Sequence, residues 1–278
     1  MKYMYGALVL VVFCGSCSYG PPGFQRLVLH HSVSLPELGR VRTLRVWLPE
    51  DYEGNTDKFY PVLYMQDGQN LFESSTSYAG EWQVDESLDA FAKNSGQGII
   101  AVGIDNSSQR MYEYSPWTNP SYGGGEGQAY VNDLVNSVIP YIQSRYRVKT
   151  SAADRAIGGS SMGGLISVYA SLYRPDVFGK VLAMSSSFWF APQSLVSYVK
   201  ERATAAKDVK FYLDVGTSEG SSVSAAASYV KDTTDLGDLL GSFSWTSSSL
   251  KVVIESGAGH NEAAWRGRLP GALSFLWP

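Results

Sequence analysis

Cysteine is almost missing from this chain: its 278 residues hold two, Cys14 and Cys17, both near the amino terminus. No internal disulfide can therefore brace the folded part. A basic run is missing too. The 22 basic and 26 acidic side chains give a formal charge of -4, so nothing tracks a phosphate backbone and nucleic acid is excluded as a partner. The apolar run Ala7 to Phe13 is too short to span a bilayer. Histidine is scarce, with three in the chain, which narrows any search for a general base. What is present is apolar and aromatic. The 44% hydrophobic content excludes a disordered or fibrous chain. The 18 Tyr, 11 Phe and 7 Trp, often beside Gly, Pro and Ser, suit a ligand cleft, although half-buried sheet positions account for many.

Lys2 followed by the short apolar run reads as an export signal. Gly15-Ser16-Cys17 is similar to the end of a bacterial lipoprotein signal, which predicts Cys17 as a lipidated amino terminus and the one link to a membrane. Simple cleavage and an uncleaved anchor are the alternatives, since Cys14 stands where such signals usually carry Leu. The expected organisation is a signal and tether over 1–23 and one domain over 24–278, exported to a bacterial envelope.

From residue 24 onward, short β-branched runs alternate with helical patterns, the mark of an α/β fold. Strands are predicted at 24–33, 41–48, 60–66, 98–105, 155–159, 180–184, 210–215 and 250–255, the first two as an antiparallel edge pair. Helices are predicted at 82–93, 128–145, 162–173, 193–205, 222–240 and 261–275. Right-handed crossovers then make the central sheet mostly parallel, with helices on both faces. Function in such sheets gathers at the carboxyl ends of the strands.

There the sharpest motif is Gly159-Ser160-Ser161-Met162-Gly163, a G-x-S-x-G nucleophile elbow between a predicted strand and helix. Small flanking residues make room for an abrupt turn that projects Ser161. A phosphate-cradling loop, the rival reading, would want a Lys or an acidic ribose contact nearby, and neither is present. A serine hydroxyl needs a base. His30 and His31 share a strand and point to opposite faces, which makes them structural; His260, in Gly259-His260-Asn261-Glu262 after the last strand, is the candidate base. In this chain order the acid lies between serine and histidine. Glu219, past the end of a late strand, is favoured over Asp214 inside the apolar run. The oxyanion donors expected are the backbone N–H groups of Met162 and Gln69. Asp67 and Asn70 in the same loop could be plain turn formers. The long aperiodic segment 107–127, with Arg110, Tyr112, Tyr114, Trp117 and Tyr122, reads as a wall or lid over the substrate. Tyr114 and Trp117 in that segment, and Phe188 and Trp189 in Ser185-Ser186-Ser187-Phe188-Trp189-Phe190 after a later strand, are the candidate substrate contacts, with packing under a loop the alternative for each.

At these residues the chain resembles the esterase D-like family of α/β-hydrolases, which includes feruloyl and acetylxylan esterases, S-formylglutathione hydrolases and enterochelin esterases. The resemblance runs from about residue 40 to the end. It rests on Tyr64-Met65-Gln66-Asp67-Gly68-Gln69-Asn70-Leu71-Phe72, Val102-Gly103-Ile104-Asp105-Asn106, Glu113-Tyr114-Ser115-Pro116-Trp117, the serine elbow, and Gly259-His260-Asn261-Glu262 with Trp265. It implies hydrolysis of carboxylic esters through Ser161 and His260 without metal or cofactor. Gln66 departs from the His common in relatives. The expected substrate is a small or saccharide-linked ester, with a siderophore trilactone as the second reading. A non-catalytic surface binding module is the rival of another class.

Overall fold

The computed structural model describes residues 28–278; the expected export segment and Cys17 lie outside them. Among the described residues ten strands occur in chain order: β1 Leu29–Leu35, β2 Arg40–Trp47, β3 Val62–Gln66, β4 Ile100–Ile104, the two-residue β5 Thr118–Asn119 and β6 Gly123–Gly124, β7 Arg155–Ser160, β8 Lys180–Met184, β9 Lys210–Ser218 and β10 Leu250–Gly259. Among the described residues eight α-helices accompany them: α1 Val84–Ser95, α2 Arg110–Glu113, α3 Gly127–Asp133, α4 Ile139–Gln143, α5 Met162–Tyr173, α6 Pro192–Arg202, α7 Val223–Gly241 and α8 Glu262–Leu276.

Eight of the strands form one sheet in the order β1-β2-β4-β3-β7-β8-β9-β10. β1–β2 and β2–β4 are antiparallel and every other pair is parallel. β3, β4 and β7 are buried at every position, as strands covered on both faces must be. One core cluster packs Tyr130, Leu165, Ile166, Leu195 and Leu236 against one face, and the other packs Trp82, Leu88, Trp265 and Leu273 against the opposite face. The expected mostly parallel sheet with an antiparallel amino-terminal edge is thus present.

Several boundaries differ for identifiable reasons. β1 runs on to Leu35, whose full burial anchors its end, before a turn in which Gly39 adopts φ 63°. The single helix predicted over 128–145 is α3 and α4 joined by a π-helical turn, Leu134–Val138. Pro140 sits in the first turn of α4; lacking an N–H, it cannot bond to the preceding turn, and the wider register accommodates it. β10 extends past its predicted end through an irregularity between Glu255 and Gly259. That extension carries the chain to His260. The starts of α7 and α8 are capped by Ser222 and Asn261, whose side chains accept from Ala225 N and Ala264 N.

Candidate active site

Ser161 stands between β7 and α5 at φ 58°, ψ -127°. That conformation is strained for a residue with a side chain, by about 1–3 kcal/mol, and close packing holds it. Ser161 N–H donates to Met184 O at 3.0 Å, and Ser187 N–H donates to Ser161 O at 3.0 Å. A Cβ on Gly159 or on Gly163 would lie 2.9 Å from Gln66 Cβ. The elbow glycines are therefore demanded by Gln66, which is fully buried and accepts from Tyr130 OH at 2.5 Å. The glutamine fills space beneath the turn rather than facing the cleft.

Glu219 follows β9 and is 1% exposed, which rules out a solvated loop carboxylate. Its Oε2 lies 2.5 Å from His260 Nδ1. Its Oε1 accepts from Ser185 Oγ at 2.5 Å and from Gly216 N–H at 2.7 Å. Burial alone would push this carboxyl up; the hydrogen bonds from His260, Ser185 and Gly216 outweigh it and hold the group below the ordinary glutamate range. Asp214 has no contact with the histidine. It is fully buried and ion-paired with Arg268 of α8 at 3.0 Å, and burial pushes its carboxyl up to about 6. His260 is clasped by rings on two helices, Trp265 at 5.2 Å edge-on and Tyr229 at 5.3 Å.

The Ser161 hydroxyl is partnered by Ser187 Oγ at 3.1 Å, and no hydrogen bond joins it to His260 in this geometry. Hydrogen bonds of this kind are often long in unliganded sites and tighten with substrate. Met162 N–H begins α5 and Gln69 N–H lies in the 3-10 turn Gly68–Asn70, first-turn positions whose donors have no acceptor within their own helix. The loop carrying Gln69 is rigid. Asp67, at φ 59°, accepts from Arg110 Nε at 2.7 Å, Arg110 Nη2 at 2.8 Å and Asn106 Nδ2 at 2.6 Å, and its N–H donates to Tyr114 OH at 3.2 Å. A Cβ on Gly68 would lie 2.7 Å from backbone atoms of β4. Asp67 is a brace and more than a turn former; Asn70 ties the loop to Tyr78 N–H and to Glu262.

The aromatic candidates divide. Tyr114 is fully buried with its hydroxyl on the Asp67 backbone, and Phe188 is buried in the core; both take the packing role that was the alternative for each. Trp117 packs on Tyr169 and Tyr198 and lines a shallow groove of about 370 Å³ with α6. Trp189 is partly exposed and donates from Nε1 to Tyr229 OH at 2.9 Å. It forms a wall with Tyr122, 5.3 Å away, running toward His260 through Tyr229. Tyr229 escaped sequence reasoning because it sits on α7 without a local motif. Ser185 and Ser187 belong to the run Ser185-Ser186-Ser187, and their place at the carboxyl end of β8 was the available signal. His31 is held between Tyr141 and Tyr146, while His30 faces Glu73 at 3.7 Å; both are structural.

A mostly parallel sheet flanked by helices, with a strained serine at a strand-to-helix turn and a carboxylate-bound histidine, defines an α/β-hydrolase. The chain belongs to the family described as "Putative esterase", which matches residues 36–276. At family level it is an enzyme of the serine-hydrolase type acting on carboxylic esters. It is 28% identical over 243 residues to the uncharacterized protein YbbA of Bacillus subtilis, covering 85% of this chain and 92% of that one. Over 140 residues it is 31% identical to the siderophore triacetylfusarinine C esterase of Aspergillus fumigatus, covering 47% of this chain and 45% of that one. A solved ferulic acid esterase superposes with a TM-score of 0.70 at 22% identity, covering 91% of this chain and 98% of that one.

Proposed function

We propose that the chain is an exported esterase in which His260 removes the proton from Ser161 as the serine attacks an ester carbonyl. Glu219 holds the imidazole in one tautomer and stabilises the imidazolium, and water then hydrolyses the acyl-enzyme. The N–H groups of Met162 and Gln69 receive the oxyanion. The observation that carries this reading is the 2.5 Å contact between Glu219 Oε2 and His260 Nδ1, because it reserves Nε2 for the serine. In the proposed reaction the Ser161 hydroxyl exchanges its Ser187 partner for His260 Nε2.

The substrate proposed is a small or saccharide-linked ester of the feruloyl or acetyl type, seated against Trp189, Tyr122 and Tyr229. Its support is an aromatic wall beside the base and the likeness to a ferulic acid esterase along nearly the whole of that chain. Relatives named for siderophore ester hydrolysis keep trilactones as the second reading. Export with a lipid anchor at Cys17 belongs to the same proposal; mass spectrometry of the mature amino terminus tests it.

Release of p-nitrophenol from a short-chain ester, and labelling by a fluorophosphonate probe, should both occur with the native chain and vanish in Ser161→Ala. Full activity in that variant overturns the nucleophile, and a native chain that neither turns over nor labels is a binding module. Comparing feruloyl, acetyl-xylan and enterobactin-type esters then decides the substrate.

A further inference from the structure

Behind the Glu219–His260 contact lies a second layer of polar side chains that the reaction as described does not use. Ser185 sits at its centre, with φ 46°, a left-handed conformation seldom taken by serine. Its oxygen accepts from Trp265 Nε1 at 2.9 Å and from Arg268 Nη2 at 3.0 Å. An indole N–H and a guanidinium can only donate, so both lone pairs of the hydroxyl are occupied. The one remaining role for Ser185 is donor, and the acceptor within reach is Glu219 Oε1 at 2.5 Å. The backbone N–H of Ser185 is held by Asp214, at 2.8 Å from its carbonyl oxygen and 3.3 Å from Oδ1. Asp214 in turn neutralises Arg268. Direction of the hydroxyl proton thus follows from valence alone.

We infer that Ser185 is a positioning residue of the proposed triad: its hydroxyl, oriented by Trp265 and Arg268, spreads the negative charge of Glu219 and turns Oε2 to the histidine. This deepens the esterase reading and rests on it. The groups facing the pair from the surrounding elements are Gly216 N–H on β9, Asp214 and Arg268 behind Ser185, Glu262 at the start of α8, and the Tyr229 and Trp265 rings. Glu262, a second carboxylate near His260, is untouched by a change at residue 185, whereas Arg268 on the same helix loses one acceptor there and keeps its pairing with Asp214.

The test is Ser185→Ala, followed through the pH dependence of kcat/KM on p-nitrophenyl acetate with the full chain. Losing the donor concentrates charge on Glu219, which favours the imidazolium, so the acid limb should move up by about half a pH unit. Plateau kcat should fall about 10- to 100-fold with KM nearly unchanged, since the defect lies in orientation and charge rather than substrate contact. Ser185→Cys, which keeps the shape but donates weakly, should move the limb the same way and serves if the alanine variant does not fold. Ser185→Gly relieves the backbone strain without restoring the hydroxyl and should remain impaired. An acid limb that stays put or moves down in the folded variants, or recovery in Ser185→Gly, overturns the inference. Failure of the triad itself would show separately, as activity surviving in Ser161→Ala.

Discussion

Two acidic side chains near the site differ in kind, and their substitutions should differ in what they damage. Glu219 receives three donors and touches the base, so Glu219→Gln should lower kcat by on the order of 10³ to 10⁴ while costing less stability than the loss of a buried counter-charge, since the amide keeps the shape and one acceptor oxygen. Asp214 is locked to Arg268 inside the sheet. Asp214→Asn leaves a buried guanidinium without its counter-charge and should cost about 3–5 kcal/mol of stability, readable in a urea titration. Equal effects of the two on both measurements would contradict the assignment. The sequence made this distinction available only in part: Glu219 past a strand end and Asp214 inside an apolar run set the order of preference, but the partner that occupies Asp214, Arg268, lies 54 positions away on α8. Tyr114 and Phe188 were ambiguous in the sequence for a related reason. A loop aromatic looks the same in sequence whether it faces a cleft or the core, and burial is settled by what packs above it.

Among the elements, α1 carries a strain that a pattern of hydrophobic spacing does not show. Asp85 and Glu86 occupy its first turn, where negative charge is ordinarily favourable, yet their carboxylates and that of Glu81 offer oxygens within 4.8 Å of one another. Burial, followed by the neighbouring Glu86, pushes the Asp85 carboxyl up to about 8. The folded protein therefore retains a proton that the unfolded chain has released, and this contribution to stability, complete below the ordinary aspartate range, is lost as pH rises toward 8. Asp85→Asn cannot lose it. Thermal melts across pH should show the variant gaining a few degrees over the native chain at about pH 9 and little near pH 4; a gain independent of pH would contradict the cause. Elsewhere the elements were legible because local chemistry and burial agree. The buried strands β3, β4 and β7 read as apolar runs, and the caps Ser222 and Asn261 stand where the helices begin. The π turn before Pro140 was not legible, because the hydrophobic spacing continues through it.

Across the whole molecule, the proposed reaction draws on both ends of the sheet's cohesion. Ser161 is borne by β7, in the middle of the sheet, flanked by β3 and β8. His260 follows β10, a terminal strand of the sheet, where Val252 and Ile254 are 37% and 47% exposed. Edge elements with few buried contacts open before the centre does. Warming should therefore silence the enzyme below its melting temperature and reversibly, because the base departs while the serine stays in place; esterase activity and far-ultraviolet circular dichroism recorded along one ramp should part company, and coincident curves would refute this. The exposed terminal strand thus acts as a thermal fuse, and a cross-link tying β10 to β9 would extend the working temperature without adding anything to the core.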